Sequence, residues 1–180
     1  RRDPLEVLAT QLRPASGIEA VVLVADLACP EGAARVFSQI ERDGLEVDVL
    51  VNNAGFGAQG LFAQLPLDRQ LEMVQLNATT LTHLTRTFLP GMIARRRGGI
   101  LNIASTAAFQ PGPHMAVYYA SKAFVLSFSE ALSEELSGTG VTVTALCPGP
   151  TATGFGEAAQ MRRTPMFRLL TMSASSVAEA

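Results

Sequence analysis

The run Tyr118-Tyr119-Ala120-Ser121-Lys122, with Ser105 thirteen positions before Tyr118, holds a phenol, an ammonium and a hydroxyl that together can move a proton to or from an alcohol. On a helix, positions four apart share a face, so the Lys122 ammonium is expected beside the Tyr118 phenol, favouring its ionised form. A free phenol titrates near pH ~10, too high for a good base at neutral pH, and acid–base catalysis improves as the pKa approaches the working pH. Ser105 is then expected to hydrogen-bond the substrate oxygen and hold it against the phenol. Tyr119, three positions before Lys122, competes for the same face. The offset from Ser105 and the Ala-Ser before the lysine favour Tyr118, which leaves Tyr119 to pack or to line the pocket.

These residues need elements to position them. Val21–Ala25, Val47–Val51, Ile100–Ala104 and Val141–Leu146 are short, apolar, largely β-branched runs bounded by turn residues. They read as strands buried on both faces and therefore parallel. Helical patterns run over Asp3–Leu12, Pro30–Asp43, Asp68–Arg97 and Met115–Ser137, with Pro90 expected to kink or interrupt the third. Arg95-Arg96-Arg97 reads as a helix C-terminus followed by a Gly98-Gly99 stop. Strands alternating with helices predict one α/β domain over residues 1–180, a doubly wound parallel sheet. Ligands in such sheets bind beyond the carboxyl ends of the strands. There the chain places Asp26, then Asn52-Asn53-Ala54-Gly55, then Ser105, then Pro148-Gly149.

Composition narrows the function. The 180 residues are 48% hydrophobic and carry a net charge of −2 without a clustered basic face, which argues against nucleic-acid and membrane-surface partners. Cys29 and Cys147 are too isolated for a disulfide framework, and His83 and His114 lack ligand spacing, so no metal is expected. With no signal-peptide core or membrane-length apolar stretch, the cytoplasm is the expected location.

Taken together, Asn52-Asn53-Ala54-Gly55, Asn77, Ser105, Tyr118-x-Ala-Ser-Lys122 and Pro148-Gly149 resemble the short-chain dehydrogenase/reductase family of NAD(P)-dependent oxidoreductases, over nearly the whole chain. The resemblance implies a Rossmann-type fold and the interconversion of a carbonyl with an alcohol. It makes Tyr118 the acid/base and Ser105 the carbonyl polariser. Lys122 would tune the phenol and hold the nicotinamide ribose, and Asn77 would hold a water that links Lys122 to solvent. Asn53, Ala54 and Gly55 would line the cofactor, Asp26 would meet the adenine, and the backbone from Pro148 through Gly149 and Thr151 to Thr153 would hold the nicotinamide. A homodimer or homotetramer is implied, built on helices such as the one carrying Phe124, Phe128 and Leu132.

The family's Gly-rich phosphate turn is expected before residue 1, so the domain reads as incomplete at its N-terminus and, from the helix start near Ser173, at its C-terminus. Gly55-Phe56-Gly57-Ala58-Gln59-Gly60 matches G-x-G-x-x-G but does not open a helix directly, and belongs instead to the Asn-Asn-Ala-Gly motif. Arg1 and Arg2 stand where the family's second strand would end, and favour NADP over NAD by meeting the 2′-phosphate. A catalytically silent fragment or binding module is the alternative. Met161, Met166, Phe167, Leu169 and Leu170 suggest an apolar lid, and His114 a surface loop.

Overall fold

The computed structural model describes residues 2–152, 154–155 and 171–179. Its centre is a parallel three-stranded sheet of β1 (Val49–Asn52), β2 (Gly98–Ile103) and β3 (Val141–Leu146), in that order. Leu50 lies beside Ile100 and Ile100 beside Val143; one step along, Asn52 lies beside Asn102 and Asn102 beside Ala145. A second parallel pair joins β4 (Thr151–Ala152) to β5 (Met172–Ser173). The helices are α1 (Arg2–Ser16), α2 (Gly32–Arg42), α3 (Leu67–Val74), α4 (Leu81–Arg95), α5 (Ala116–Glu135) and α6 (Ala174–Ala178), the last capped by the Ser173 hydroxyl on the Ser176 amide at 3.0 Å. The architecture is the open, doubly wound, Rossmann-type α/β fold.

The sheet differs from its sequence reading in two ways. Val21–Ala25 joins no ladder among the described residues, because a strand exists only where another backbone meets its donors and acceptors, and none does here. The three strands are also not buried on both faces. Ile100, Val141 and Val143 pack under α2, α4 and α5 with Leu84, Phe88 and Met92, whereas Val49 and Val51 are 65% and 52% exposed and Thr142 and Thr144 face outward. Val141-Thr142-Val143-Thr144 is a period-two pattern that the β-branched character of threonine conceals.

The long middle helix also breaks elsewhere than expected. It runs through Pro90 without interruption, since Pro90 and Arg86, whose carbonyl loses its donor, both lie on the solvent side, where water can satisfy that carbonyl. The irregularity is instead a π-helical turn at Gln75–Thr80, between α3 and α4, and it contains Asn77. After Arg95, the residue that turns left-handed (φ 52°) is Arg96, so the chain reverses before the glycines; Gly98 and Gly99 open β2 rather than stop the helix. No helix among the described residues is long and apolar enough to cross a membrane.

Candidate active site

α5 brings Tyr118 and Lys122 to one side because its buried face is built from Tyr118, Ser121, Lys122, Val125 and Ser129, a stripe at helical spacing. The stripe lies over the carboxyl ends of β2 and β3, where Ser105 follows Ile103 by two residues. Ser105 is extended and caps the short 3₁₀ turn Thr106–Phe109, its Oγ accepting from the Ala107 amide at 3.1 Å. That bond uses the oxygen as an acceptor and leaves the hydroxyl proton free to point elsewhere. The cap therefore does not consume the proton that a substrate oxygen would need.

Tyr118 is buried, its ring packed with Met115, Phe56 and Met73, and burial raises its pKa above the ordinary phenol value. Hydrogen bonding from Ser105 acts in the opposite direction, and Tyr119 adds a small further rise. Lys122 does not drive the phenol down as its spacing suggests. Its Nζ lies 6.0 Å from the Tyr118 ring centroid and donates to the Ile103 carbonyl at 2.7 Å, so the ammonium is aimed at the end of β2. Burial draws the Lys122 pKa from 10.5 to about 8, with Cys147 pulling slightly the other way.

Asn77 is held tightly. Its Oδ1 accepts from the Phe56 amide (3.1 Å), and its Nδ2 donates both to the Phe56 carbonyl (2.9 Å) and to Ser121 Oγ (3.0 Å). Both amide protons are thereby committed, and the loop after Asn53-Ala54-Gly55 is pinned to α5. A β-carbon placed on Gly55 would sit 3.1 Å from Asn77 Oδ1 and 3.6 Å from Lys122 Nζ, so a side chain there would press on the Asn77 amide, which its three hydrogen bonds hold in place. A side chain is crowded at Gly57 too, where a β-carbon would come within 2.9 Å of the Phe155 ring and 3.3 Å of Tyr118. The Gly55–Gly60 stretch forms a loop with α3 starting only at Leu67, in line with its reading as part of the Asn-Asn-Ala-Gly motif.

The remaining sequence-derived residues fall around this edge. Asn53 and Ala54 are exposed at the end of β1, and Pro148 accepts from the Thr106 amide at 3.0 Å, tying the end of β3 to the Ser105 turn. Thr151 opens β4, its hydroxyl on the Gly149 carbonyl at 3.0 Å. Asp26 Oδ1 accepts from the Ala28 amide at 3.0 Å, a side-chain-closed turn, and the adjoining Leu27 carbonyl accepts from Thr80 at 2.8 Å, which fastens that turn to the π-helical segment. Arg2 sits on α1 in a 3.3 Å pair with Glu6. Arg1, Thr153 and the lid residues Met161, Met166, Phe167, Leu169 and Leu170 lie outside the described residues. Tyr119 lies over Gly112, and His114 is exposed in a left-handed turn (φ 65°) whose carbonyl accepts from Gly60 at 2.8 Å.

Sequence reasoning missed Ser121, Asn102 and Ser129 as site-building residues. The available signal was a serine recurring at helical spacing on the same face as Tyr118 and Lys122, eight positions apart. It missed Met115 and Phe155 as the apolar wall beside the phenol, where the Phe155 and Tyr118 ring centroids are 5.2 Å apart.

The sequence profile described as short chain dehydrogenase matches residues 1–163. The 3-oxoacyl-[acyl-carrier-protein] reductase of Haemophilus influenzae is 33% identical over 135 residues, covering 75% of this chain and 56% of that protein. A short-chain dehydrogenase from Sphingobium yanoikuyae, solved in complex with NADPH, superposes with a TM-score of 0.90 at 34% identity, over 100% of this chain and 70% of the other. The bulky-bulky ketone specific alcohol dehydrogenase from Comamonas testosteroni superposes with a TM-score of 0.82 at 31% identity, over 97% and 65%. The chain spans about half the length of the curated relatives it matches. With this coverage, and with the ordered Ser105, Tyr118 and Lys122 on one sheet edge, the chain belongs to the short-chain dehydrogenase/reductase family of NAD(P)-dependent oxidoreductases.

Proposed function

We propose that the protein reduces a ketone or aldehyde to an alcohol, and runs the reverse oxidation, with NADP(H) as hydride carrier. The observation that carries the reading is the convergence of Ser105, the buried Tyr118 phenol and the Lys122 ammonium at the carboxyl ends of β2 and β3. The raised phenol pKa keeps Tyr118 protonated through neutral pH, which suits a proton donor to a carbonyl oxygen that is becoming an alkoxide. Ser105, its acceptor side already engaged by Ala107, donates its remaining proton to the same oxygen and polarises it. In the reverse direction Tyr118 accepts the alcohol proton, so oxidation strengthens as pH rises.

The donor set fits a nicotinamide nucleotide. Lys122 has three N–H donors, and among the described residues only the Ile103 carbonyl takes one, which leaves donors for the paired hydroxyls of a ribose. Asn53 and Ala54 are exposed and Gly55 is narrowed to its Cα, so a flat ring can approach the end of β1; among the described residues nothing lies within 4 Å of a β-carbon placed on Gly149. Asp26 would meet the adenine, and the backbone from Pro148 to Thr153 the nicotinamide. Bound NADPH would supply the hydride, and the protein the proton and the geometry. Asn77 Oδ1 keeps one lone pair beside Gly55 for a water that connects to Lys122.

Met115, Phe155 and Gly57 around Tyr118 favour a substrate with an apolar substituent on one side of its carbonyl. A homodimer or homotetramer is the proposed assembly, with the stacked Phe124–Phe128 pair (5.8 Å), of which Phe124 is exposed, on the contact face.

The test is NADPH consumption by the full-length protein against a panel of aryl ketones, diketones and aldehydes. Turnover that disappears in Tyr118→Phe supports the reading; absence of both turnover and NADPH binding in the wild type would favour a silent binding module. Arg1 and Arg2 are proposed to meet the 2′-phosphate, so replacing both with alanine should lower the NADPH-over-NADH preference by about tenfold, the scale of a charge-assisted hydrogen bond. A wild-type preference for NADH would overturn that assignment.

A further inference from the structure

α5 is fastened at two points by the same device, and only one of them adjoins the reacting groups. Ser121 donates to the Tyr118 carbonyl (2.7 Å) and accepts from Asn77; Ser129 donates to the Val125 carbonyl (2.7 Å) and accepts from Asn102 Nδ2 (2.9 Å). Because the Ser129 proton is committed to its own helix, its oxygen must accept, and Asn102 must present its amino group. Asn102 Oδ1 must then accept, and it does so from Asn52 Nδ2 at 2.9 Å, whose second proton goes to Thr85 Oγ1 on α4 at 3.1 Å. The direction of every hydrogen bond in this chain is fixed, and all four side chains are buried, Asn102 completely.

Buried amides in a sheet that could hold valines are costly unless fully paired, and these are paired across four elements, β1, β2, α4 and α5. The chain begins next to Asn53-Ala54-Gly55, crosses β2 three residues before Ser105, and ends two helical turns along α5 from Lys122. It joins the three elements that carry the proposed reacting and cofactor-facing groups.

We infer that Asn102 and Ser129 are positioning residues, forming a second pin that sets the axial position of α5 against β2 and thereby the approach of the Tyr118 phenol to Ser105. This inference rests on the proposed reductase reading for its kinetic arm; its spectroscopic arm needs only the hydrogen-bonded contact of α5 with β2 and the place of Tyr118 on α5. If the pin is released, α5 can slide or tilt, and Ser105 and the phenol move apart. Ser105 opposes the rise that burial gives the phenol pKa, so with the ring still packed its withdrawal moves the Tyr118 titration to higher pH. Misplacements of this kind cost catalysis much more than they cost binding.

The experiment compares wild type, Asn102→Leu/Ser129→Ala and Ser129→Thr in the full-length protein. The double variant removes both partners of the Asn102–Ser129 bond together and leaves one proton of Asn52 Nδ2 without its acceptor, a cost that Ser129→Ala alone does not carry. Expected are a fall in kcat of about tenfold or more with KM for NADPH changed little, and an upward shift of the Tyr118 phenolate absorbance titration, identified by its loss in Tyr118→Phe. Ser129→Thr, which keeps the hydroxyl, should restore both. A folded double variant with wild-type kcat and wild-type titration overturns the inference, even if its melting temperature falls, because that is the result of a purely structural role. Should the double variant not fold, Ser129→Ala alone reads the same two quantities. If the wild type proves to have no reductase activity, the function reading fails by itself and the titration still decides the pin.

Discussion

The two ends of the central sheet are held by opposite chemistry. At the carboxyl ends, neutral side chains do the joining: Asn52, Asn102, Ser129, Asn77 and Ser121 are buried and bonded in fixed directions. At the amino ends, charges do it: Asp48 meets Arg97 at 2.6 Å and Arg95 at 3.5 Å, and Arg95 also lies 3.8 Å from Glu46, largely in reach of solvent. Ion pairs tolerate many geometries and are weakened by water, whereas a buried amide accepts only a few. Among the described residues no carboxylate pairs with the Lys122 charge. The end proposed to hold a reaction geometry is therefore the one whose described side chains are joined by neutral groups.

The largest effect expected from breaking this arrangement is at the phenol. Tyr118→Phe should lower kcat at least ~10²-fold while NADPH binding, followed by fluorescence, stays nearly unchanged. Tyr119→Phe should cost far less. A collapse in Tyr119→Phe with Tyr118→Phe nearly normal would show the chemistry to reside on the other ring.

Lys122→Met should reduce both rate and NADPH affinity and yet stabilise the fold. The folded-state pKa of about 8 lies below the reference 10.5. Between those values the unfolded chain binds a proton that the folded chain lacks, so wild-type stability rises with pH across that window. Below pH 8 the full desolvation cost is present. The variant should therefore be more stable at pH 7 by about 1–3 kcal/mol, with the advantage shrinking as pH is raised from about 8 towards 10. Chemical denaturation at several pH values measures this; a variant less stable than wild type at pH 7 would mean that the Ile103 hydrogen bond outweighs burial.

Asn52→Leu removes one link and leaves the Asn102 carbonyl and the Thr85 oxygen without their donor, a loss of about 1–3 kcal/mol. Arg97→Ala, at the other end, should change stability by no more than ~0.5 kcal/mol, since Arg97 is mostly exposed, and its effect should vanish in high salt. Equal costs for these two would remove the distinction between the ends.

Tyr118, Lys122 and Ser105 were legible because their spacing alone puts them on one helix face and one strand end. The class of fold was legible from four apolar runs alternating with helical patterns, three of which form the central sheet. Ser121 and Ser129 were not, because a serine on a helix ordinarily reads as a solvated or capping residue, and only the facing amides reveal that these are buried acceptors. The direction of the Tyr118 shift was not legible either: i and i+4 spacing brings two side chains to one face, but whether the ammonium points at the phenol or at a carbonyl depends on a backbone supplied by another strand. The turn at Arg96 was hidden by a more inviting pair of glycines two residues later.

The π-helical turn at Gln75–Thr80 sets the rotational phase of everything before it. Met73, on the N-terminal side, faces the Tyr118 cluster, while Leu84, Phe88 and Met92, on the C-terminal side, face the sheet. A π-helical turn holds one residue more than an α-helical turn, and each α-helical residue turns the chain by about 100°, so deleting a single residue such as Ala78 would let the segment rewind as ordinary helix with Met73 and Leu84 still in phase, whereas a deletion within α3 or α4 would swing one flank by more than a quarter turn. Substitutions at Ala78 keep the count and the phase. This stretch should thus tolerate the loss of one residue better than α3 or α4 does, the change falling on the aim of Asn77 rather than on the faces of the two helices.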